Sequence, residues 1–359
     1  MKIAILAHSL YPLNEPFAGG LEMITHLLVK ELAARGNDVT LYAHPSTQLG
    51  VDLVPVDTET AGLSENEIQM LEEGNQSVVD IAFAKAVTHI AKSNYDVVQN
   101  HSLNCAALTY LTFLETPVVH TFHTPIIASV LGGVVGIDNP KNITFTAVSQ
   151  FMKKEWEEKV SEVQVLYNGI DINQWPYEEE TNEDYLFWYG RICKEKAPHH
   201  AIIAAINTDT KLLVAGPVYD REYYEMYVEP YLDNQFVEYV GHLEHDEIKV
   251  YLSRAKASLF TSLWNEPYGL VLAESLACGT PVLAYDSGAS PEIIDDSCGV
   301  IVPQGQVDML MQFIPQVVQK SRKACRERAE TFCSHLKMVD SYEQLYEKVL
   351  EQNKSLQLI

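Results

Sequence analysis

Cations are scarce in this chain: 25 lysines and arginines stand against 49 aspartates and glutamates, a formal net charge of −24 over 359 residues. Nucleic-acid phosphates demand a basic footprint, and an anionic membrane surface demands clustered lysine and arginine. The chain has neither, and its first half is no exception, with 9 cations against 19 anions in residues 1–168. Cysteine is sparse too. No two of Cys105, Cys193, Cys278, Cys298, Cys325 and Cys333 have C-x-x-C spacing, and most sit in apolar surroundings. Free core thiols in a reducing cytosol are the expectation. No apolar run is long enough for a clean transmembrane span. The apolar start, Met1 to Ala7, is cut short by His8 and Tyr11-Pro12, so it reads as a first strand rather than a signal peptide. A cytoplasmic protein without stable membrane binding follows. Asp-x-Asp occurs nowhere, so nothing suggests a metal ion bridging a diphosphate.

Apolar residues make up 47% of the sequence, enough for full cores, and the length calls for one very large domain or two. Short continuous apolar runs alternate with helical periodicity, the pattern of strands buried on both faces of parallel sheets. The first set of strands reads Lys2–Ala7, Val39–Ala43, Asp96–Gln99, Pro117–Thr121, Thr144–Val148 and Val163–Leu166. Helices are expected over Leu21–Ala34, over Glu65–Lys92 as one or two pieces, and over Phe151–Glu158. After the acidic stretch Glu178 to Asp184 a second set begins: Tyr185–Tyr189, Leu212–Ala215, Val237–Val240, Ser258–Ser262, Val282–Ala284 and Gly299–Val302. Asp308–Gln319 reads as a helix kinked or broken at Pro315. Arg326–Phe332 is another, and Ser341–Glu351 closes the chain with Tyr342, Leu345, Tyr346 and Val349 on one face.

In parallel sheets, ligands sit at the carboxyl ends of strands. Several strands here end in Gly plus a polar residue: Gly190-Arg191, Gly216-Pro217, Gly241-His242. His101 and His123 follow two strands of the first set, and Gly19-Gly20 precedes the first helix. The densest stretch is Asn265-Glu266-Pro267-Tyr268-Gly269-Leu270-Val271-Leu272-Ala273-Glu274, leading to a helix that stops at Gly279-Thr280-Pro281. With Pro267 at the first helical position, Tyr268, Gly269 and Leu270 would offer amides at the positive end of the helix, an anion site. Eight residues at helical rise span roughly 12 Å, the reach from the sugar to the ribose of a nucleotide sugar. By spacing alone, an ordinary capped helix with one surface and one buried glutamate fits better.

The composition of the stretch goes further than its spacing. Glu266-Pro267-Tyr268-Gly269 through Glu274, followed by Cys278-Gly279-Thr280-Pro281, resembles the signature of the family 4 retaining glycosyltransferases, enzymes of the GT-B fold. The resemblance covers nearly the whole chain, strongest over 185–303. It implies an α/β protein with two Rossmann-like doubly wound domains facing across a cleft. The acceptor would be bound by 1–170 and the donor by 171–335, with a helix in 336–359 returning to the first domain.

It also implies roles for particular residues. Glu266 would bind the hydroxyls of the transferred sugar and Glu274 those of the ribose, with Tyr268, Gly269 and Leu270 at the phosphates. Arg191 and Lys196 resemble the family's diphosphate cations, and they would take the place of a metal. The glycine usual after that lysine is Ala197 here, which bears on the loop's shape and not on its charges. His120-Thr121-Phe122-His123-Thr124 resembles the segment with the active-site histidine and puts that role on His123, while His101 would line the same cleft. Gly19 and Gly20, with Glu22 behind them, match the pair that approaches the donor. An inverting enzyme would need a base in the loop after the first strand, where His8, directly behind the strand, and Glu15 are the candidates.

The activity implied is metal-independent transfer of a hexosyl unit from a nucleotide-diphosphate sugar, with a UDP-sugar favoured and GDP-mannose the alternative, to a hydroxyl of a small-molecule or glycan acceptor, with no cofactor. A GT-B epimerase or phosphorylase and a non-catalytic nucleotide-sugar binding protein are the competing readings. The acceptor would meet loops such as Ser129 to Asn142.

Overall fold

The computed structural model describes residues 1–137 and 140–357. The chain divides into two compact units, Met1–Asn168 with His335–Ile359, and Gly169–Ser334. The first unit runs β1 (Lys2–Leu6), α1 (Gly20–Ala34), β2 (Asp38–Ala43), β3 (Asp52–Pro55), α2 (Glu65–Glu73), α3 (Val78–Ala91), β4 (Val97–Asn100), α4 (Cys105–Leu111), β5 (Val118–Phe122), α5 (Ala128–Val135), β6 (Ile143–Ala147), α6 (Gln150–Trp156) and β7 (Val163–Val165). All strands are parallel, in the order β3-β2-β1-β4-β5-β6-β7.

The second unit runs β8 (Leu186–Tyr189), α7 (Pro198–Asn207), β9 (Leu212–Ala215), α8 (Arg221–Tyr227), β10 (Val237–Gly241), α9 (His245–Arg254), β11 (Ala257–Phe260), α10 (Leu270–Ala277), β12 (Val282–Tyr285), α11 (Ser290–Ile293), β13 (Gly299–Val302), α12 (Val307–Val317) and α13 (Arg322–Arg328). Its six parallel strands follow the order β10-β9-β8-β11-β12-β13. The last helix, α14 (His335–Gln357), belongs to the first unit. The strands are short apolar runs covered on both faces, so β1, β8 and β12 are buried along nearly their whole length. The strand order reverses between β1 and β4 in one sheet and between β8 and β11 in the other. Such a switch point opens a crevice beyond the carboxyl ends of the strands.

Four local expectations change. Strand β3 was hidden by its length and by Pro55, which an edge strand tolerates. The stretch read as a loop from Ser129 begins with helix α5 despite Gly132 and Gly133 inside it; residues 138–139 of that stretch lie outside the described residues. A Cβ on Gly133 would come within 3.0 Å of the Cys105 carbonyl oxygen, so close packing on α4 accounts for glycine there. Pro315 does not break α12, because it lies in the last turn, where little helix remains to lose. Helix α10 begins at Leu270, not at Pro267, behind Gly269 in the left-handed region at φ 96°. Its first-turn amides are therefore those of Leu270 and Val271, and Tyr268 lies in the preceding turn with its ring buried. Since only Glu274 of the two glutamates is helical, the 12 Å estimate does not apply.

Ala197, where the family has glycine, caps α7 in the left-handed region at φ 46°, ψ 52°. The backbone turn that glycine would make is made by alanine, at a steric cost of about 1 kcal/mol. Ala197→Gly is expected to stabilise the protein by about 0.5 kcal/mol in urea unfolding, the strain relieved less the greater freedom of glycine in the unfolded chain. A loss of stability instead would show that this turn is unstrained with a Cβ.

Candidate active site

In the second unit, three strand ends converge. Gly190 follows β8 and Gly216 follows β9. A Cβ on Gly216 would lie 1.9 Å from the Gly190 carbonyl oxygen, so the two turns cross with no space for a side chain. The loop from Arg191 to Lys196 is then tied to the end of β11. The Leu263 amide donates to the Glu195 carbonyl at 2.7 Å, and Thr261 Oγ1 lies 3.0 Å from the carbonyls of both Lys196 and Ala197. Trp188 Nε1 donates to the same hydroxyl at 2.9 Å. These ties bring the ammonium of Lys196 onto the carboxylate of Glu266 in an ion pair largely shielded from solvent. Ser262 Oγ is 3.1 Å from the same carboxylate oxygen. The turn after β12 closes on Glu266 from the other side. The Ala289 amide donates to its carbonyl at 3.0 Å, and Gly288, at φ 61°, passes where a Cβ would be 2.2 Å from that carbonyl.

Arg191 is exposed, with its guanidinium 4.9 Å from the centre of the Tyr219 ring. Among the described residues it makes no ion pair, which leaves its charge available to a ligand. Glu274 sits in α10 and accepts a hydrogen bond from the Tyr189 hydroxyl at 2.7 Å. Burial raises its carboxyl to about 7, against a smaller opposing effect of that hydrogen bond.

In the first unit, His8, His101 and His123 follow the carboxyl ends of β1, β4 and β5. The rings of His101 and His123 pack edge to face, 4.5 Å between centroids. His101 lies 3.0 Å from Thr25 Oγ1 through Nδ1 and 3.5 Å from the Tyr342 hydroxyl through Nε2. His123 is also buried, and its Nε2 has no hydrogen-bond partner. A buried polar atom without a partner costs about 1–3 kcal/mol, a cost that His120 Nε2 shares and that a hydrogen bond from a ligand would relieve at either nitrogen. His120, inside β5, contacts Asn100 Nδ2 at 2.9 Å and meets the stacked rings of Phe122 and Phe145 edge to face, as a core residue does. Burial, more than mutual repulsion, drives the histidines toward the neutral form: His101 and His120 fall to about 3, and His123 and His8 fall below the ordinary value.

Gly20 opens α1, and Gly19 precedes it in extended backbone. A Cβ on Gly19 would come within 3.1 Å of Glu22 Oε2. The glycine thus leaves space for a buried carboxyl whose proton affinity burial raises.

The structure brings together Lys196 and Glu266, and His101 and His123. It adds Thr25, Tyr189, Ser262 and Gly288, which the sequence did not mark as site residues, and Tyr342, which it marked only as core. Tyr342 carried a signal of the wrong kind: its helical spacing reads as core, and only its hydroxyl distinguishes it.

Two family models match the chain: Glycosyltransferase Family 4 over residues 18–174, and Glycosyl transferases group 1 over residues 170–332. The chain belongs to the family 4 glycosyltransferases. Glycogen synthase of Mycobacterium tuberculosis is 25% identical, with 86% of each chain covered. Phosphatidyl-myo-inositol mannosyltransferase of Mycolicibacterium smegmatis is 27% identical over 65% of this chain and 66% of its own. Among solved structures, Anabaena HepE in complex with UDP-glucose is similar at a TM-score of 0.72 and 18% identity, covering 97% of this chain and all of its own. The glycosyltransferase therefore has the GT-B fold, in which its two parallel-sheet units are the two halves. No helix among its described residues is long and apolar enough to cross a membrane.

Proposed function

We propose that this glycosyltransferase moves a hexosyl unit from a UDP-sugar to a hydroxyl acceptor with retention at the anomeric carbon and without a metal ion. The observation that carries the reading is the Lys196–Glu266 pair, assembled from two different strand ends just before α10. A cation and an acid held together in this way match the two ends of the bond that breaks. Lys196 and Arg191 meet the charge that develops on the diphosphate as the bond from the anomeric carbon to the phosphate oxygen breaks. The Leu270 and Val271 amides add to them. Glu266 accepts from the sugar hydroxyls, and Glu274 accepts from the ribose. His123 offers Nε2 to the sugar near its reacting carbon. The acceptor hydroxyl forms the new bond on the face the diphosphate leaves, and the departing phosphate oxygen takes its proton. The base, the sugar and the use of a small-molecule or glycan acceptor are part of the proposal.

The ion pair sharpens the test. A bound donor must draw Lys196 off Glu266 and onto the diphosphate. Glu266→Gln keeps the shape and frees the lysine. Calorimetry is expected to show bare UDP binding about threefold more tightly to this variant, while turnover of UDP-sugar falls at least about tenfold. Weaker binding of bare UDP would reverse the assignment of the two glutamates. Turnover is expected to persist in EDTA, and proton NMR of an early product should show the anomeric configuration of the donor. A β-linked product from an α-linked donor would move the base to His8.

A further inference from the structure

A file of buried hydrogen bonds in the first unit ends on His101. Thr25 Oγ1 donates its one proton to the Leu21 carbonyl at 2.8 Å. Toward His101 Nδ1, at 3.0 Å, it can only accept, so Nδ1 carries the hydrogen of the neutral ring. His101 Nε2 then presents a lone pair to the Tyr342 hydroxyl, 3.5 Å away. That hydroxyl accepts from Thr121 Oγ1 at 3.2 Å. Thr121 Oγ1 in turn accepts from Gln99 Nε2 at 2.9 Å, and Thr146 Oγ1, 2.8 Å away, shares its one proton between Thr121 and the His120 carbonyl at 3.2 Å. Every proton points the same way, from the sheet through α14 and His101 to the first turn of α1. With the Thr25 proton committed to the Leu21 carbonyl the file runs in this one direction, and removing one hydroxyl breaks it.

Both neighbours of His101 matter to the proposed reaction. Its ring packs edge to face on His123. His123 Nε2 has no hydrogen bond to set the ring's orientation, so packing against a fixed neighbour must set it. The far end of the file, Leu21, adjoins Gly20 and Glu22. We propose that Tyr342, on the chain's last helix, is a positioning residue for glycosyl transfer: it holds His101 as the Nδ1–H tautomer, and His101 seats the ring of His123. The inference rests on the role given above to His123. Tyr342 touches no substrate in this account; it acts through His101.

A neighbour on the same helix separates positioning from plain stability. Tyr346 is as buried as Tyr342 and donates to Gln99 Oε1 at 2.9 Å, so it joins the head of the file without touching His101, and the Gln99 Nε2 donor to Thr121 survives its loss. The full-length enzyme is compared with Tyr342→Phe, Thr25→Val, Tyr346→Phe and His123→Ala. Turnover of UDP-glucose is measured alongside nitrogen-15 spectra of labelled histidines, with His101 assigned through His101→Gln. In the unsubstituted enzyme His101 should show a protonated Nδ1 and a bare Nε2. Tyr342→Phe and Thr25→Val should each shift the His101 nitrogens and lower kcat about five- to tenfold. The KM for donor should stay within about twofold, since orientation and not binding is lost. Tyr346→Phe should lose stability as Tyr342→Phe does but leave kcat and the His101 signals in place. A His101 protonated on Nε2 overturns the proposal, as does a kcat for Tyr342→Phe no lower than that of Tyr346→Phe. If His123→Ala is impaired while Tyr342→Phe is not, positioning fails alone. If His123→Ala turns over normally, the role of His123 fails and the positioning claim goes with it.

Discussion

Arg322→Met is expected to destabilise the second unit by about 4 kcal/mol, lowering its calorimetric melting temperature by about 10 °C. Arg322 is buried, and among the described residues no carboxylate pairs with it. Its charge is met by carbonyls instead. Nε donates to Glu178 at 2.8 Å, Nη1 to Ala255 at 2.8 Å, and Nη2 to Cys278 at 3.1 Å and to Ser253. Ala255 and Cys278 are the C-caps of α9 and α10. One guanidinium thus ends two helices, where carbonyls lack intrahelical donors and a positive charge is favoured. Burial alone would lower its proton affinity, yet an arginine stays charged. Methionine would fill much of the volume and leave these carbonyls unpaired. Arg326, which donates to the Ala277 carbonyl at 2.7 Å, would retain part of the cap on α10. A fall of under about 2 °C would mean that water reaches the exposed carbonyls and the cap is dispensable.

Glu274→Gln should stabilise the protein at alkaline pH and weaken its hold on nucleotide. The folded-state value of Glu274, about 7, lies above the ordinary 4.5. The folded chain therefore binds the proton more tightly than the unfolded one between these limits. The stability this confers is present in acid and is lost as pH rises through 7. At pH 8 the native carboxylate costs about 3 kcal/mol, which glutamine does not incur. The buried histidines titrate in the opposite sense but alike in both proteins, so they cancel in the comparison. Urea unfolding should show the two proteins equal near pH 4, with the variant ahead by a margin that grows to pH 8. In the proposed complex the ribose hydroxyls donate to Glu274 and favour its charged form. UDP should then bind the unsubstituted enzyme more tightly at pH 8 than at pH 6 and release protons, seen by calorimetry in two buffers. The variant should lose that slope. A variant no more stable at pH 8, with unchanged UDP affinity, would make Glu274 an ordinary core acid.

Local pattern in the sequence was enough for the strand-and-helix alternation, because fully buried parallel strands must be short apolar runs. It was enough also for the positions of His101, His123 and Arg191, because a polar residue directly after such a run falls at a strand's carboxyl end; Glu266, farther along its loop, was marked by the family resemblance. It misread α5, whose glycines lower helix propensity but allow contact with α4, and the start of α10, where Pro267 suggested a helix that begins only at Leu270. What the sequence could not contain is the choice of partners. Lys196 and Glu266 are 70 residues apart, and Tyr342 and His101 are 241 apart. Periodicity records neighbours along one element, three or four residues apart in a helix and two in a strand. The order of strands in the two sheets decided which loops meet at the switch points. Only the packed interior decided that Lys196 rests on an acid, that Glu274 carries a raised proton affinity, and that a tyrosine of the last helix ends in a histidine ring. Those outcomes depend on burial and on the count of donors against acceptors, which exist only once distant segments exclude water together.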